Sequence, residues 1–290
     1  MGTLLNRRRY MGGVDTIDWS KQYLTFEVLE SGTFQLSRNA VNYSLDDGVT
    51  WINLAADTAT PTISEGSKII WKANITSFND SYGLGTFSST GAFDLMGNLL
   101  SLTEGDNFGD VTTLRANYCF RNLFNGSKVR NANNFKLIAT TLKLCCYAGM
   151  FANSKIELPP ELPATTLARQ CYWSMFAGCT SLRETPELLA TTLDISCYQT
   201  MFKGDTLLTE APFLPATTLV QSCYSYMFQN CSNLEYIKAM FLTTPSNTYT
   251  ADWVQNVKRN GTFVKNSSAT WDVRGNSGIP NNWTVETASE

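Results

Sequence analysis

One signature recurs at a spacing close to 26 residues, and it constrains the fold more than any other feature of the chain. Cys119, Cys146, Cys171, Cys197 and Cys223 lie 27, 25, 26 and 26 residues apart. An aromatic residue follows each: Phe120, Tyr147, Tyr172, Tyr198 and Tyr224. Four residues after each cysteine stands Leu123, Met150, Met175, Met201 or Met227, and the next residue is always Phe, at 124, 151, 176, 202 and 228. A Thr-Thr-Leu triplet precedes every cysteine, at 112–114, 140–142, 165–167, 191–193 and 217–219. Five in-phase copies of so specific a pattern do not arise by chance.

A unit this short cannot bury its apolar side alone, so neighbouring copies must stack. The period falls within the roughly 20–29 residues of leucine-rich repeats, which predicts a solenoid of about five coils. The β-branched Thr-Thr-Leu segment reads as a strand, one per coil, in a parallel ladder with steps of about 4.8 Å. Cys, Met and Phe at i, i+4 and i+5 read as one side of a helical turn. Asn153, Gly178, Gly204 and Asn230, two residues past the Phe, read as helix stops. Pro163, Pro186, Pro212 and Pro215 then precede the next strand. Cys171, Cys197, Cys223, Met175, Met201, Phe176 and Phe202 are expected to be buried and stacked between coils.

The 8 cysteines form an even number, which raises the question of disulfides. Five belong to the ladder and face the interior. Cys179 and Cys231 stand where other copies have Ser127, Ser154 and Asp205, so pairing is not required there. Cys145 is off the pattern. Reduced, packed thiols are expected. With no histidine and no Cys-x-x-Cys pair, neither a zinc site nor any cofactor is expected.

The flanks differ from the repeats. Residues 14–98 contain seven alternating or apolar runs between turn signals: 24–29, 33–37, 41–45, 49–54, 68–73, 84–88 and 92–96. Their spacing of about ten residues suggests a small β-sandwich-like domain, with Asp47-Gly48 supplying the turn of a hairpin and Trp51 and Trp71 in the core. The repeats are assigned to 99–245. Residues 246–290 lose the signature and concentrate Trp253, Phe263, Trp271 and Trp283, an aromatic cap for an apolar end. The fold class expected is therefore mainly β with short helices: sandwich-like domain, leucine-rich-repeat-like solenoid, cap.

Charge is uneven. Arg7, Arg8 and Arg9 make residues 1–13 basic, whereas the chain as a whole carries −3. That balance gives no reason to expect nucleic-acid binding. No apolar run approaches the ~20 residues of a membrane span, so membrane insertion is not expected. No secretory h-region follows Met1. The missing histidines remove the commonest general base, and no paired carboxylates in a repeated aromatic cleft suggest glycoside hydrolysis, so no enzyme is expected.

The segments Pro-Glu-Leu-Pro-Ala-Thr-Thr-Leu-Ala ending at Ala168, Cys-Tyr-Trp-Ser-Met-Phe-Ala-Gly-Cys-Thr-Ser-Leu at 171–182 and Asn-Cys-Ser-Asn-Leu at 230–234 resemble BspA-type leucine-rich-repeat proteins of gut Bacteroidales and their phages. The resemblance covers residues from about 111 onward. The opening Leu-Leu-Asn-Arg-Arg-Arg-Tyr-Met-Gly-Gly is similar to the start of phage-encoded members. It implies adhesion or surface binding by a virion structural protein, on the capsid or a tail fibre, with a bacterial cell-surface adhesin as the alternative. A host surface or glycan and other virion proteins, or a homo-oligomer such as a trimer, are the implied partners.

Two groups of site residues follow. If Leu of each Thr-Thr-Leu strand points inward, Thr141, Thr166, Thr192 and Thr218 form an outward ladder beside the variable Lys143, Ala168, Asp194 and Val220. Such a face is either a binding surface or merely solvated. The arm, residues 1–13, offers Leu4, Leu5, Arg7, Arg8, Arg9 and Tyr10 as an anchor, because guanidinium groups make bidentate bonds to a partner's carboxylates. The alternative is that the arm folds back on its own acidic body.

Overall fold

The computed structural model describes residues 17–288; the anchor residues Leu4 to Tyr10 lie outside them. Among the described residues the chain is mainly β, with one short α-helix and several sheets, none of them closed. Seven strands fall on the seven predicted runs: β1 (Leu24–Val28), β2 (Phe34–Leu36), β3 (Val41–Ser44), β4 (Ile52–Leu54), β5 (Lys68–Lys72), β6 (Phe87–Ser89) and β7 (Phe93–Asn98). One sheet has the order β4-β3-β5-β1-β7-β8, where β8 is Asn134–Lys136, and β2 pairs with β6 separately.

Alternation along β1 explains the packing. Leu24, Phe26 and Val28 are all buried. The Phe26 ring lies 4.5 Å from Phe93 and 5.3 Å from Trp71 within its own sheet, and 5.7 Å from Phe34 and 5.0 Å from Phe87 on the β2–β6 pair. The small pair therefore covers the large sheet through aromatic edges and faces, each such ring contributing roughly 1.5–3 kcal/mol by burial.

Two expectations here need correction. Trp71 is core, but Trp51 is half-buried, with the Lys72 ammonium 4.1 Å from its ring centre. The β3–β4 loop keeps Asp47 and Gly48 at positive φ yet is longer than a two-residue turn. Asp46 closes it, accepting from Ser44 Oγ (2.6 Å), Thr50 N (2.8 Å) and Thr50 Oγ1 (2.6 Å). Those bonds favour the ionised carboxyl and hold it down at about 2.

The repeats stack as expected, but not as strand plus helix. The one α-helix among the described residues, α1 (Ser101–Glu104), lies before the first copy of the signature. Residues from Cys to the eighth position after it form consecutive β-turns. In the copy at Cys171, N–H groups of 171, 173, 175, 177 and 179 donate three residues back, to 168, 170, 172, 174 and 176. The alternate N–H groups of 170, 172, 174, 176 and 178 donate to carbonyls of 195, 197, 199, 201 and 203 in the next copy. A helix would send every N–H four residues back within the copy. Here half of them cross to the neighbour.

This geometry requires positive φ at every fourth residue. Gln170, Ser174 and Gly178 have φ of 56°, 55° and 76°, and Ser196, Thr200 and Gly204 repeat the pattern at 55°, 57° and 83°. The predicted helix stops are the last of these left-handed positions. The remaining residues alternate in pairs, two inward and two outward. The inward pairs are Cys-Tyr and Met-Phe, and they build two columns of rings. Phe124, Phe151, Phe176, Phe202 and Phe228 follow one another at 5.6, 5.6, 5.7 and 5.8 Å. Phe120, Tyr147, Tyr172, Tyr198 and Tyr224 do so at 6.1, 5.9, 5.8 and 5.9 Å.

The strand ladder lies elsewhere in the period than predicted. Thr-Thr-Leu makes only one isolated parallel bridge, Thr141 to Thr166. The parallel pairing runs instead from β7 to β8 (Met96 to Asn134) and reappears at the far end as β9 (Tyr236–Ala239), β10 (Thr262–Lys265) and β11 (Thr284–Thr287). Thus β8, from the repeat segment, extends the sheet of the N-terminal strands. The pairing of Tyr236 with Thr262 also keeps a 26-residue step beyond the last signature. Trp253, Phe263, Trp271 and Trp283 are all buried in this continuation.

Candidate binding faces and the buried thiols

The structure places Thr141, Thr166, Thr192 and Thr218 on the surface, all exposed, with Lys143 exposed and Asp194 half-buried. Both threonines of each triplet point outward, because the segment is not a pleated strand. Leu142, Leu193 and Leu219 are buried beneath them, and Leu167 is half-buried. Backbone bonds tie Thr166 N to Thr140 O (3.1 Å) and Leu142 N to Thr166 O (3.0 Å). Asp194 Oδ1 accepts from Ile195 N at 2.6 Å, which turns its carboxylate toward its own backbone. The face is a row of hydroxyls with one ammonium and one carboxylate beside it, suited to hydrogen bonding with a polyhydroxylated surface.

A second face was not legible in the sequence. A groove of about 660 Å³ runs between segments 183–189 and 209–213 of adjacent copies. Leu189 and Phe213 are each 48% exposed in it, and Glu184 and Glu210 also line it. Glu184, Pro186 and Leu188 recur at the 26-residue step as Glu210, Pro212 and Leu214, but the exposed Leu189 and Phe213 are not repeated.

All 8 cysteines are free and buried. Burial pushes the thiols up, Cys119 and Cys171 to about 12 and Cys223 to about 11. The thiolate is the reactive form, so these groups are inert while the fold is closed. A thiol reagent at pH 8 is expected to label none of them in the native protein and all 8 in denaturant. Rapid labelling of two or more native thiols would contradict the packing. Among the described residues, no cluster of three or more Cys, Asp or Glu side chains could hold a metal ion, and no helix is long and apolar enough to cross a membrane.

No protein-family model, curated protein or solved structure matches the chain.

Proposed function

We propose that this protein is a non-enzymatic binding component of a phage virion, on the capsid or a tail fibre. In this reading the stacked copies are a leucine-rich-repeat-like solenoid of the BspA type. The solenoid holds a surface-binding face outward, and residues 1–13 attach the protein to its particle. The observation that carries the reading is the row of exposed Thr141, Thr166, Thr192 and Thr218 on a rigid aromatic-cored stack, flanked by the varying Lys143 and Asp194. A constant scaffold with variable outward positions is how stacked repeats make extended binding faces.

The test is a glycan array and a whole-cell binding assay with the full chain. Wild type is expected to bind, and Thr166→Glu/Thr192→Glu/Thr218→Glu to lose at least tenfold in affinity with unchanged thermal stability. Equal binding by the triple variant removes the threonine face as the site. Deleting residues 1–13 is expected to abolish incorporation into particles while leaving glycan binding intact. Detection of the protein on bacterial cells but on no particle would favour a cell-surface adhesin.

A further inference from the structure

We propose that the outer face of the N-terminal sheet binds a neutral pyranose sugar against the indole of Trp51. The site is separate from the threonine row and stands whether or not that row binds.

The indole is held from beneath. Lys72 Nζ lies 4.1 Å from its ring centre and is fixed in turn by Asp106 Oδ1 at 2.7 Å. Tyr23 donates to the same oxygen at 2.6 Å, and its ring meets the indole edge-on at 5.2 Å and Phe108 at 4.9 Å. The Lys72 side chain is only 19% exposed, so the indole covers it, and the accessible part of the half-buried Trp51 is the opposite ring face. On the chain side, Thr50 N and Oγ1 both bond the Asp46 carboxylate, which fixes the residue before Trp51. A ring already immobile loses little freedom when a ligand stacks on it.

Polar groups form a row beside the ring. Asn53, Asn42 and Lys72 are in register across β4, β3 and β5, so they share the sheet face that Trp71, which packs on Phe87 of β6, does not. Strand alternation puts Trp51, two residues before Asn53, on that same outer face. Asn53 Nδ2 donates to Asn42 Oδ1 at 3.2 Å. Among the described residues, Asn53 Oδ1, Asn42 Nδ2 and Asp106 Oδ2 take no hydrogen-bond partner. They leave an acceptor and a donor on neighbouring strands and a further acceptor past the ring.

The charges there are paired, Lys72 with Asp106 at 2.7 Å and Lys21 with Asp110 at 2.6 Å. Lys68, the other cation of β5 on that face, stands four residues away opposite Glu27. An anionic ligand would find no unpaired cation beside the indole. An apolar peptide would strand the two amides and the carboxylate without partners. A pyranose meets both demands, since its C–H face packs on the ring and its hydroxyls donate and accept around the rim.

A single sugar on one aromatic ring binds in the millimolar range, so methyl glycosides of glucose, galactose and mannose are each titrated to about 100 mM into the isotope-labelled full chain. The Trp51 indole N–H resonance, assigned by its loss in Trp51→Phe, is expected to shift saturably with at least one of them. The buried Trp253 indole, bonded to Gly278 O at 2.8 Å, should stay still. Asn53→Ala, a change at an exposed side chain, should weaken that binding about fivefold through the loss of one hydrogen bond, with the unfolding midpoint unchanged. No saturable shift with any of the three sugars overturns the proposal, as does unaltered affinity in Asn53→Ala. A Trp51 resonance that moves with protein concentration and not with sugar also overturns it, and assigns the face to a second copy. The triple threonine variant is expected to keep the Trp51 response, so the two faces hold or fail independently.

Discussion

Replacing Phe202 with Ala is expected to destabilise the protein by about 3–5 kcal/mol, the range for truncating a core aromatic. Phe202 is wholly buried, between Phe176 at 5.7 Å and Phe228 at 5.8 Å, with both ring pairs within 4° of parallel. Its backbone N–H donates to Met227 O at 3.0 Å and pins it to the following copy, while its ring stacks on both neighbours. Parallel copies cannot slide to fill the space, because every second amide is pinned to its neighbour. The cavity therefore persists and the upper part of the range is expected. Urea unfolding should report a lower midpoint, compared with Leu207→Ala, an exposed position where the change should stay within about 0.5 kcal/mol. A loss below about 1 kcal/mol at Phe202 would mean that the ring columns do not hold the stack together.

The sequence and the structure agree most where side-chain periodicity is read directly. Each of β1 to β7 lies on a predicted run, because alternation with turn residues between runs leaves little freedom of register. The burial of Cys, Met and Phe was equally legible, since recurrence at a fixed step demands a shared environment. What the copies do locally was misread. Cys-Tyr-x-x-Met-Phe-x-x-Cys has a period of four, two residues in and two out, and a helix repeats at about 3.6. Over the nine residues from Cys171 to Cys179 the inward positions would still share one helical face, so burial alone does not separate the two. The better sign is Gly, Asn or Ser at ten of the fifteen fourth places, residues that left-handed backbone accepts most readily.

The misplaced strand has a related cause. Threonine favours pleated strands, but Thr-Thr-Leu is too short to settle the matter by propensity alone. The ladder formed around residues 96–98, 134–136, 236–239 and 262–265, where partners lie opposite one another in space. The triplet instead serves as a corner, with Leu inward and two hydroxyls in water. For the binding face this outcome changes little, since Thr141, Thr166, Thr192 and Thr218 are outward in either geometry. The two walls of the groove share Glu-x-Pro-x-Leu, at 184–188 and 210–214, but the motif alone does not say that a groove opens between adjacent copies.

Asp205 should make the fold less stable as pH rises, and its replacement should remove that dependence. It stands where the neighbouring copies have Cys179 and Cys231 and is wholly buried. Its Oδ1 accepts from Cys179 N at 2.8 Å, but Oδ2 has no partner, and desolvation pushes the carboxyl well above its usual 3.8. The groups beside it are the Cys179 and Cys231 thiols, which burial keeps protonated and which supply no positive charge. Because the folded pKa is raised, the native chain keeps a proton that the unfolded chain releases above about pH 4. Each further pH unit then costs up to about 1.4 kcal/mol until the folded group itself ionises. Cysteine is the replacement to use, since Cys179 and Cys231 donate to the carbonyls of Phe151 and Phe202 in the preceding copies, each at 2.9 Å, and Phe176 offers the equivalent acceptor. The Cys179 N–H keeps its bond to Phe176 O at 3.0 Å when the carboxylate is gone. Urea unfolding of Asp205→Cys at pH 5 and pH 7 should give nearly equal stabilities, whereas wild type is expected to be less stable at pH 7 than at pH 5. Parallel pH dependence in the two proteins would show that Asp205 is ionised in the fold, with a cation or water satisfying Oδ2.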